Sequence, residues 1–459
     1  MRRTKKKTMR TKKKTGTKVL AVSLGCDKTR VDTEKMLGAL LAHGYEWTDD
    51  ESKAQAAVIN TCCFIHDAKT ESIREILRLA EMKKEGALRA LVVCGCLSER
   101  YKEEILREIP EVDAVTGTAS CDRIAQLLSD ALSGKKTLLF EDINRSYKCA
   151  GRRITGAGNH VAYLKIAEGC NKRCTYCIIP SLRGRYRSVP EEELIEEAAF
   201  LAANGTRELV LVAQETTLYG LDLCGEKRLA HLLRRLAREV KELSYLRLLY
   251  CYPEEIDDAL IDAIAEEEKI VPYLDMPVQS GSDRILKRMG RRTTNAEIRA
   301  LVTKLRERIP GIALRTTFIT GFPGEEAADH NETMALVRDL AFDRIGVFPF
   351  SREEGTPAFR MRGQVAEALK KRRRTEIMRL QQEISLARSR ALIGETMEAI
   401  VEGTLTEEDR TVTVARTYRD APEVDGYLFF AAKKEHMSGD RVRVRVTGAD
   451  AYDLTGEEV

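Results

Sequence analysis

Three cysteines fall within eight residues of each other, in the stretch Glu168-Gly-Cys-Asn-Lys-Arg-Cys-Thr-Tyr-Cys177. The spacing C-x3-C-x2-C lets one short loop turn three thiolates toward a common point. Three thiolates can hold three irons of a [4Fe–4S] cubane, although ordinary clusters take four cysteines. No fourth cysteine follows at close spacing, so the fourth iron would be open to the amino and carboxylate groups of a methionine moiety.

A zinc knuckle or a buried cysteine loop is the alternative interpretation. Structural zinc sites favour paired cysteines with four Cys or His ligands in all. The nearby histidine, His160, lies upstream across a predicted strand. The pattern therefore favours an iron–sulfur cluster.

The same stretch, with Tyr176 directly before the third cysteine, resembles the radical SAM superfamily. The resemblance implies that Cys170, Cys174 and Cys177 are catalytic cluster ligands. The cluster would pass an electron to S-adenosyl-L-methionine and release a 5′-deoxyadenosyl radical. In such enzymes the cofactor supplies the hard chemistry, and the protein holds and orients it.

The length of 459 residues predicts about three domains. No apolar run approaches the ~18 residues of a membrane span, and the N-terminus lacks the apolar segment of a secretory signal. Twelve cysteines without such a signal indicate a reducing compartment, where metal binding or catalysis is favoured over disulfides. We expect a cytoplasmic protein.

Residues 1–16 carry nine Lys or Arg and no acidic residue. Such a tail repels itself and has nothing to bury, so we expect disorder. It could contact rRNA phosphates, or it could be an upstream start read into the gene, with Met9 or a later residue as the true start. The sequence leaves both open.

Residues 17–140 alternate strands and helices, which predicts a parallel α/β sheet. Strands are expected at Lys18–Leu24, Ala56–Asn60, Leu91–Val93 and Asp113–Thr116, and helices at Val31–Ala42, Ala68–Lys84, Glu99–Glu108 and Asp122–Leu132. Cys26, Cys62 and Cys96 each follow one of the first three strands. Because the carboxyl ends of parallel strands share one edge of the sheet, the three cysteines should converge there. The alternative is that each is a small core residue.

Three motifs narrow the resemblance to the radical SAM methylthiotransferases: Ser23-Leu-Gly-Cys-Asp-Lys-Thr-Arg-Val-Asp-Thr-Glu34, Ile59-Asn-Thr-Cys-Cys-Phe-Ile65 and Cys94-Gly-Cys-Leu-Ser-Glu-Arg-Tyr101. The family implies two [4Fe–4S] clusters, the second held by Cys26, Cys62 and Cys96. It also implies two uses of S-adenosylmethionine and a need for an electron donor and a sulfur donor. Cys63 and Cys94 are additional cysteines beside the motif positions.

Residues 141–160 are expected to be a linker, and Cys121 and Cys149 match no motif. Six strands are expected in residues 161–365: Val161–Ala167, Glu208–Ala213, Tyr245–Tyr250, Tyr273–Pro277, Ala313–Thr320 and Asp343–Pro349. Helices such as Glu191–Ala203, Leu229–Val240 and Asn295–Arg308 fall between them. Six strand–helix units fit the open partial (β/α)6 barrel of the superfamily, whose chemistry should collect at the carboxyl ends of strands.

Several polar strand ends resemble the family positions around S-adenosylmethionine. They comprise Gln214, Glu215, Gln279 and Gly321, with Arg315 for the methionine carboxylate and Tyr176 for adenine. For each of them the alternative is an ordinary loop residue. The run Phe348–Pro357 also matches the family and is expected to line the substrate entrance.

Residues 366–391 predict a long charged helix, with Lys370–Arg374 as a solvated face. Residues 392–459 predict a small β-barrel resembling the TRAM domain, with strands at Met397–Val401, Thr411–Ala415, Tyr427–Phe430 and Arg441–Thr447. That barrel holds fifteen acidic and eight basic residues. An acidic surface, including Glu423 and Asp425, disfavours RNA and suits a basic protein.

The segment Arg416–Gly426 and the sequence Ser23-Leu-Gly-Cys26 resemble the branch of the family that modifies an aspartate of small-subunit ribosomal protein uS12. The resemblance implies methylthiolation of the aspartate β-carbon. The same chemistry on a tRNA adenosine is the alternative, and a cluster-containing scaffold protein is a third.

Overall fold

The computed structural model describes residues 16–146, 152–156, 160–407 and 410–459. The predicted basic tail, except Gly16, and Cys149 in the predicted linker lie outside these ranges. The chain divides into two compact units between Ile154 and Thr155. Within the described ranges, no helix is both long and apolar enough to cross a membrane.

The first unit is built on a six-stranded parallel sheet of order β2-β1-β3-β4-β5-β6. Its strands are β1 Lys18–Ser23, β2 Glu46–Thr48, β3 Ala56–Thr61, β4 Ala90–Gly95, β5 Ala114–Thr116 and β6 Thr137–Leu139. Its helices are α1 Asp27–Ala42, α2 His66–Lys84, α3 Cys96–Tyr101, α4 Glu103–Glu108 and α5 Ile124–Leu132. The central strands β3 and β4 are buried along their whole length, as parallel strands covered on both faces should be. The predicted parallel α/β sheet is confirmed.

Two details of the first unit differ from the sequence prediction. The edge strands β2 and β6 were not predicted, because their three residues are mostly exposed or half-buried and carry little apolar signal, whereas the equally short β5 is fully buried. The helix predicted over Glu99–Glu108 is two helices, which meet at Lys102. Lys102 has a φ of 42°, which breaks the helical path.

The second unit begins with a six-stranded sheet of order β14-β13-β12-β11-β10-β7. These strands are β7 Val161–Lys165, β10 Glu208–Val212, β11 Tyr245–Leu248, β12 Ile270–Asp275, β13 Ala313–Thr320 and β14 Arg344–Pro349, and a small antiparallel pair is formed by β8 Ala167–Glu168 and β9 Arg187–Ser188. The helices are α6 Ile179–Arg183, α7 Glu191–Ala203, α8 Leu221–Cys224, α9 Leu229–Glu239, α10 Asp258–Glu266, α11 Asp283–Met289, α12 Asn295–Arg308, α13 Ala327–Leu340 and α14 Glu367–Arg390. All six predicted strands are present, and each pairs in parallel with its neighbours.

A closed five-stranded barrel of order β15-β16-β17-β19-β18 ends the chain. Its strands are β15 Thr396–Glu407, β16 Arg410–Thr417, β17 Leu428–Ala431, β18 Arg441–Ala449 and β19 Leu454–Glu458. Four of them were predicted. The polar strand β19, with the sequence LTGEE, was missed because it lacks an apolar alternation.

Buried ion pairs join this barrel to the amino-terminal ends of the parallel strands. Arg416 donates to Glu208, the first residue of β10, at 2.7 Å, and Arg247 donates to the same carboxylate at 2.6 Å. Arg344, the first residue of β14, donates to Asp420 of the barrel at 2.9 Å. The barrel therefore covers the end of the sheet opposite to the carboxyl ends of its strands.

The same contacts correct the expectation that Asp425 is an exposed acid. Its side chain is 3% exposed, and it accepts hydrogen bonds from Tyr273 Oη at 2.7 Å and from the backbone N–H of Ala421 at 2.9 Å. Asp425 therefore belongs to the contact between barrel and sheet.

The basic run Lys370–Arg374 on α14 is also not simply a solvated face. Lys370 is buried and donates to the carbonyl of Phe350 at 2.9 Å. Arg373 is buried and pairs with Glu325 at 2.8 Å. The solvated interpretation holds for Lys371 and Arg372, which are exposed, whereas Lys370 and Arg373 attach the helix to the sheet.

Candidate functional site

The loop with the three closely spaced cysteines leaves the carboxyl end of the first strand of the sheet, between β8 and α6. Cys170 and Cys174 are buried and Cys177 is half-buried. Backbone hydrogen bonds hold the loop in place, from Cys170 N to Gly184 O at 3.1 Å and from Thr175 N to Met289 O at 2.9 Å. The predicted placement at the carboxyl edge of the sheet agrees with the structure.

Burial sets the acidity of two thiols in this loop. Burial, with a smaller contribution from the charge of Cys174, raises the pKa of Cys170 to about 11 and that of Cys177 to about 12. Cys170 and Cys177 are deprotonated near neutral pH only when cationic charge compensates them, as a metal cluster does. In the described ranges no three Cys, His, Asp or Glu side chains converge tightly enough for a single metal ion. A cubane needs wider spacing, because each thiolate binds a different iron.

Three buried oxygens near this edge have no hydrogen-bond partner within the described part of the chain. They belong to Gln214, Glu215 and Gln279, all of which were predicted to contact S-adenosylmethionine. An unpaired buried acceptor costs about 1–3 kcal/mol, so a bound group with N–H or O–H donors fits here. Burial raises the pKa of Glu215 to about 7 although Thr217 donates to it.

Lys172, Tyr252 and Arg291 form a stacked group around Cys174 that sequence reasoning missed. The Tyr252 hydroxyl lies 3.8 Å from Cys174 Sγ. Lys172 Nζ lies 5.1 Å and Arg291 Cζ 4.2 Å from the centre of the Tyr252 ring. The Arg291 side chain has no exposed surface, and among the described residues its Nε and Nη1 have no partner. The cluster of Lys or Arg in residues 284–292 was a signal for Arg291 alone, not for Lys172 or Tyr252.

Glu168, two residues before Cys170, is a second residue that was not singled out. It accepts from Lys165 at 2.8 Å, from Arg183 at 3.2 Å and from Gln214 at 2.8 Å. Burial raises its pKa, but the charges of Lys165 and Arg183 outweigh burial, so the pKa falls well below its usual range. Glu168 therefore stays ionised, and its hydrogen bond holds the Gln214 side chain in place at the carboxyl edge of the sheet.

The other predicted cofactor residues lie in less open surroundings. Arg315 is already paired, with Asp275 at 2.9 Å and with Asp425 at 3.6 Å. Gly321 has a φ of 69°, and a Cβ there would lie 2.2 Å from Lys370 Cγ, so packing against α14 explains this glycine. The Tyr176 ring packs edge-on against Phe322 at 6.4 Å.

The three cysteines of the first unit follow adjacent strands. Cys26 precedes α1 after β1, Cys62 follows β3, and Cys96 follows β4, and these strands are neighbours in the sheet. A Cβ on Gly25 would lie 2.9 Å from Cys62 Sγ, so the Cys26 loop lies directly against Cys62. The structure brings the predicted strand ends to one edge.

Asn60 and Gly95 hold these strand ends together. Asn60 Nδ2 donates to Thr29 O and to Thr33 Oγ1, both at 3.1 Å, which ties α1 to β3. Gly95 has a φ of 98°, and a Cβ there would lie 2.4 Å from Asn60 Oδ1 and 2.5 Å from Thr61 O. A side chain at position 95 would push β4 away from β3.

The two additional cysteines differ in their surroundings. Cys94 lies in the core, where its Sγ donates to Ile59 O at 3.3 Å and lies 3.8 Å from Met36 Sδ. Strand β3 ends at Thr61, so strand alternation does not fix the directions of the Cys62 and Cys63 side chains relative to each other. Burial, followed by the charge of Cys96, raises the pKa of Cys63 to about 12, so Cys63 lies within electrostatic range of Cys96.

Three models of known protein families match successive parts of the chain. The Radical SAM superfamily model matches residues 164–337, the model named Uncharacterized protein family UPF0004 matches residues 18–117, and the TRAM domain model matches residues 393–459. The cysteine loop and the carboxyl ends of β7, β10, β11, β12 and β13 fall within the first match, whereas β14 lies beyond it. A [4Fe–4S] cluster and S-adenosylmethionine are the cofactors of that superfamily.

Relatives match almost the entire chain. A ribosomal protein uS12 methylthiotransferase RimO from Lachnoclostridium phytofermentans is 52% identical over 439 residues, which covers 96% of this chain and 99% of the relative. A RimO from Geobacter sulfurreducens is 47% identical over 441 residues, covering 96% and 98%.

Solved structures show the likeness of fold. The radical S-adenosylmethionine methyltransferase TsrM from Kitasatospora setae superposes with a TM-score of 0.56 at 16% identity, and the match covers 75% of this chain and 77% of that one. The relatives' identity over nearly the whole length decides the family. The chain belongs to the ribosomal protein uS12 methylthiotransferases, a family of radical SAM enzymes.

Proposed function

We propose that this protein transfers a methylthio group to the β-carbon of an aspartate in small-subunit ribosomal protein uS12, using S-adenosylmethionine and two [4Fe–4S] clusters. The observation that carries the proposal is the identity of 44–52% to uS12 methylthiotransferases over 96% of the chain. The presence of two separate cysteine triads at strand ends supports the count of two clusters. The aspartate β-carbon carries an unactivated C–H bond, which explains the need for a radical.

The two triads take different roles in this proposal. Cys170, Cys174 and Cys177 hold the cluster that, when bound, supplies the electron for cleavage of S-adenosylmethionine. Cys26, Cys62 and Cys96 hold the cluster that carries the sulfur to be methylated. The burial of Cys170 and Cys174 limits the access of water to the cleavage site.

Unpaired polar atoms suggest how the chain binds S-adenosylmethionine. Gln214, Glu215 and Gln279 offer acceptors for its amino and hydroxyl groups, because each has a buried oxygen without a partner in the described ranges. For the methionine carboxylate, Arg291 is a better candidate than Arg315. Arg291 pairs with Glu254 at 3.3 Å through Nη2, but its Nε and Nη1 have no partner among the described residues, whereas Arg315 already has two carboxylate neighbours.

The proposal assigns residues 17–140 to the second-cluster domain, 161–365 to the radical SAM core and 392–459 to the terminal barrel, joined by the linker 141–160 and the helix 366–391. An electron donor and a sulfur donor are required as partners. The reaction belongs in the cytoplasm, where ribosomal proteins are assembled. Residues 1–16 could add a contact to rRNA.

Mass spectrometry of a strain that lacks the gene tests the function directly. In such a strain uS12 should lose the mass of one methylthio group on an aspartate, and expression of this chain should restore it. A Cys170→Ala variant is the control for expression without catalysis. If uS12 is unchanged and a tRNA adenosine loses its methylthio group instead, the tRNA alternative replaces this proposal.

A further inference from the structure

Five exposed cationic side chains lie in the Cys170 loop, on the end of α11 and its following loop, and in the segment after β14. They are Arg173, Lys287, Arg292, Arg360 and Arg362, and we call them the basic rim. Where the structure describes the chain, none of these side chains has a hydrogen-bond or ion-pair partner. They are therefore available to a ligand outside the protein.

Backbone contacts place the three loops side by side. Thr175 N donates to Met289 O at 2.9 Å, which joins the Cys170 loop to the end of α11. Ala358 N donates to Thr175 O at 2.8 Å, which joins the segment after β14 to the same loop. The three segments that carry the basic rim thus lie side by side at the carboxyl edge of the sheet.

Many cations on the outer helices of the second sheet domain are paired, although single exposed cations such as Lys241 and Arg338 are not paired within the described ranges. On the outer helices, Arg235 pairs with Glu239 at 2.7 Å, Arg299 with Asp339 at 2.9 Å and Lys304 with Asp258 at 2.6 Å. Residues 284–292 contain five Lys or Arg among nine residues and no acid. The rim is thus a surface whose positive charge is left uncompensated.

We propose that the basic rim docks on the phosphate backbone of small-subunit ribosomal RNA beside the target aspartate. This inference rests on the proposed function, because it assumes a ribosomal substrate. Ribosomal proteins are generally basic, so the rim would repel uS12 itself, whereas phosphates attract Lys and Arg and release counterions on binding. Contacts of this kind position a protein without reading sequence.

Salt-dependent RNA binding by the full chain tests the rim. The rim variant carries Lys287→Gln, Arg292→Gln, Arg360→Gln and Arg362→Gln. Arg173 is left intact because it lies between cluster cysteines. The matched control carries Lys241→Gln, Arg338→Gln, Arg379→Gln and Arg443→Gln, which are exposed cations whose side chains have no partner in the described ranges. Iron content and thermal unfolding confirm that both variants fold.

The probe is purified small-subunit ribosomal RNA, titrated from about 50 to about 200 mM salt, with bulk tRNA as a second probe. Loss of four phosphate contacts should lower the slope of log affinity against log salt by about 3 in the rim variant. Affinity for the ribosomal RNA should fall at least about tenfold at low salt, and the control variant should match the unmodified protein. Equal slopes in the two variants would overturn the proposal, as would a loss confined to tRNA.

Methylthiolation assays separate this inference from the proposed function. The rim variant should modify uS12 more slowly within small subunits but modify free uS12 at the unaltered rate. Equal loss on both substrates would overturn the docking role. If the unmodified chain modifies no uS12 in either form, the proposed function fails, while the RNA slopes still report on the rim.

Discussion

The two cysteine triads of this chain are built in opposite ways. Cys170, Cys174 and Cys177 lie in one short loop, whose shape depends mostly on its own hydrogen bonds and on α11. Cys26, Cys62 and Cys96 come from three separate strand ends, so they meet only if β1, β3 and β4 are in register. The first site is a local property of the sequence, and the second is a property of the folded sheet.

Among the substitutions that test this difference between the triads, Gly95→Ala is expected to change the iron content and the activity most. The new Cβ would lie 2.4 Å from Asn60 Oδ1 and would force a φ of 98° on an alanine, so β4 should shift away from β3. We expect the purified protein to lose the iron of the Cys26 triad and all methylthiolation, while cleavage of S-adenosylmethionine continues.

Gly134→Ala is the matched control for that variant. Gly134 has a φ of 83° and no atom within 4 Å of a new Cβ. The substitution therefore costs only the free energy of holding an alanine in the left-handed conformation, about 1 kcal/mol. Iron analysis should find both clusters in the control. Retention of both clusters in Gly95→Ala would show that the strand register does not hold the triad.

Low pH should lower the free energy of unfolding of the second unit, because Glu208 becomes protonated. Burial raises the pKa of this carboxyl, but Arg247 and Arg416 outweigh burial and lower it to about 2, from a usual 4.5. A group whose folded pKa is lowered stabilises the fold above its unfolded pKa and loses that contribution as the pH falls. The contribution, about 3 kcal/mol, should disappear between about pH 4.5 and 2.

Urea unfolding of the apo protein at several pH values measures this effect. The loss should occur in the transition of the second unit, and Glu208→Gln should flatten its pH dependence while lowering stability at neutral pH. Glu457→Gln is the control, because its pair with Arg445 is exposed on both sides and such pairs contribute about 0–1 kcal/mol. An unchanged pH dependence in Glu208→Gln would contradict the role of the buried pair.

Cys94→Ala and Cys63→Ala sharpen the assignment of the first triad. Cys94 lies in the core against Met36 and Ile59 O, so its loss should cost about 1–2 kcal/mol as a small cavity without loss of iron. Cys63→Ala should also retain both clusters and most activity. A missing cluster in either variant would transfer the ligand role to the substituted cysteine.

Tyr252→Phe should produce the smallest effect, a shift in the reduction potential of the cluster at the Cys170 triad alone. The Tyr252 hydroxyl lies 3.8 Å from Cys174 Sγ, and hydrogen bonds to cluster sulfurs tune the reduction potential. A donor stabilises the reduced, more negative form, so its loss should make the potential more negative. A redox titration followed by electron paramagnetic resonance measures it, with Tyr219→Phe as a control whose hydroxyl donates to Val189 O. An unshifted reduction potential would show that the Tyr252 hydroxyl does not act on the cluster.

The contrast between the triads also explains what the sequence could predict. The Cys170 loop was evident from spacing alone, and the six strands of the second sheet from their apolar runs. The prediction that Cys26, Cys62 and Cys96 converge needed the additional rule that parallel strands share a carboxyl edge. The stacked group of Lys172, Tyr252 and Arg291 was not predictable, because its members come from three separate loops.

Net charge was the least informative part of the sequence. The acidity of residues 392–459 suggested an exposed surface for a basic partner. The structure uses Glu402, Asp420 and Asp425 of that region to bind His160, Arg344 and Tyr273 of the sheet domain. Counting charges in a sequence cannot distinguish carboxylates in buried ion pairs from carboxylates on an exposed surface. For the same reason the basic rim could be identified only from the structure, which shows its cations without partners in the described ranges.

Iron content of the two triple variants tests the central claim of two separate triads most directly. Anaerobically reconstituted protein should hold about eight irons, as two cubanes of four. Replacing Cys170, Cys174 and Cys177 by Ala should halve the iron and abolish 5′-deoxyadenosine formation. Replacing Cys26, Cys62 and Cys96 by Ala should also halve the iron but leave 5′-deoxyadenosine detectable. Full iron content in the second variant would contradict the claim.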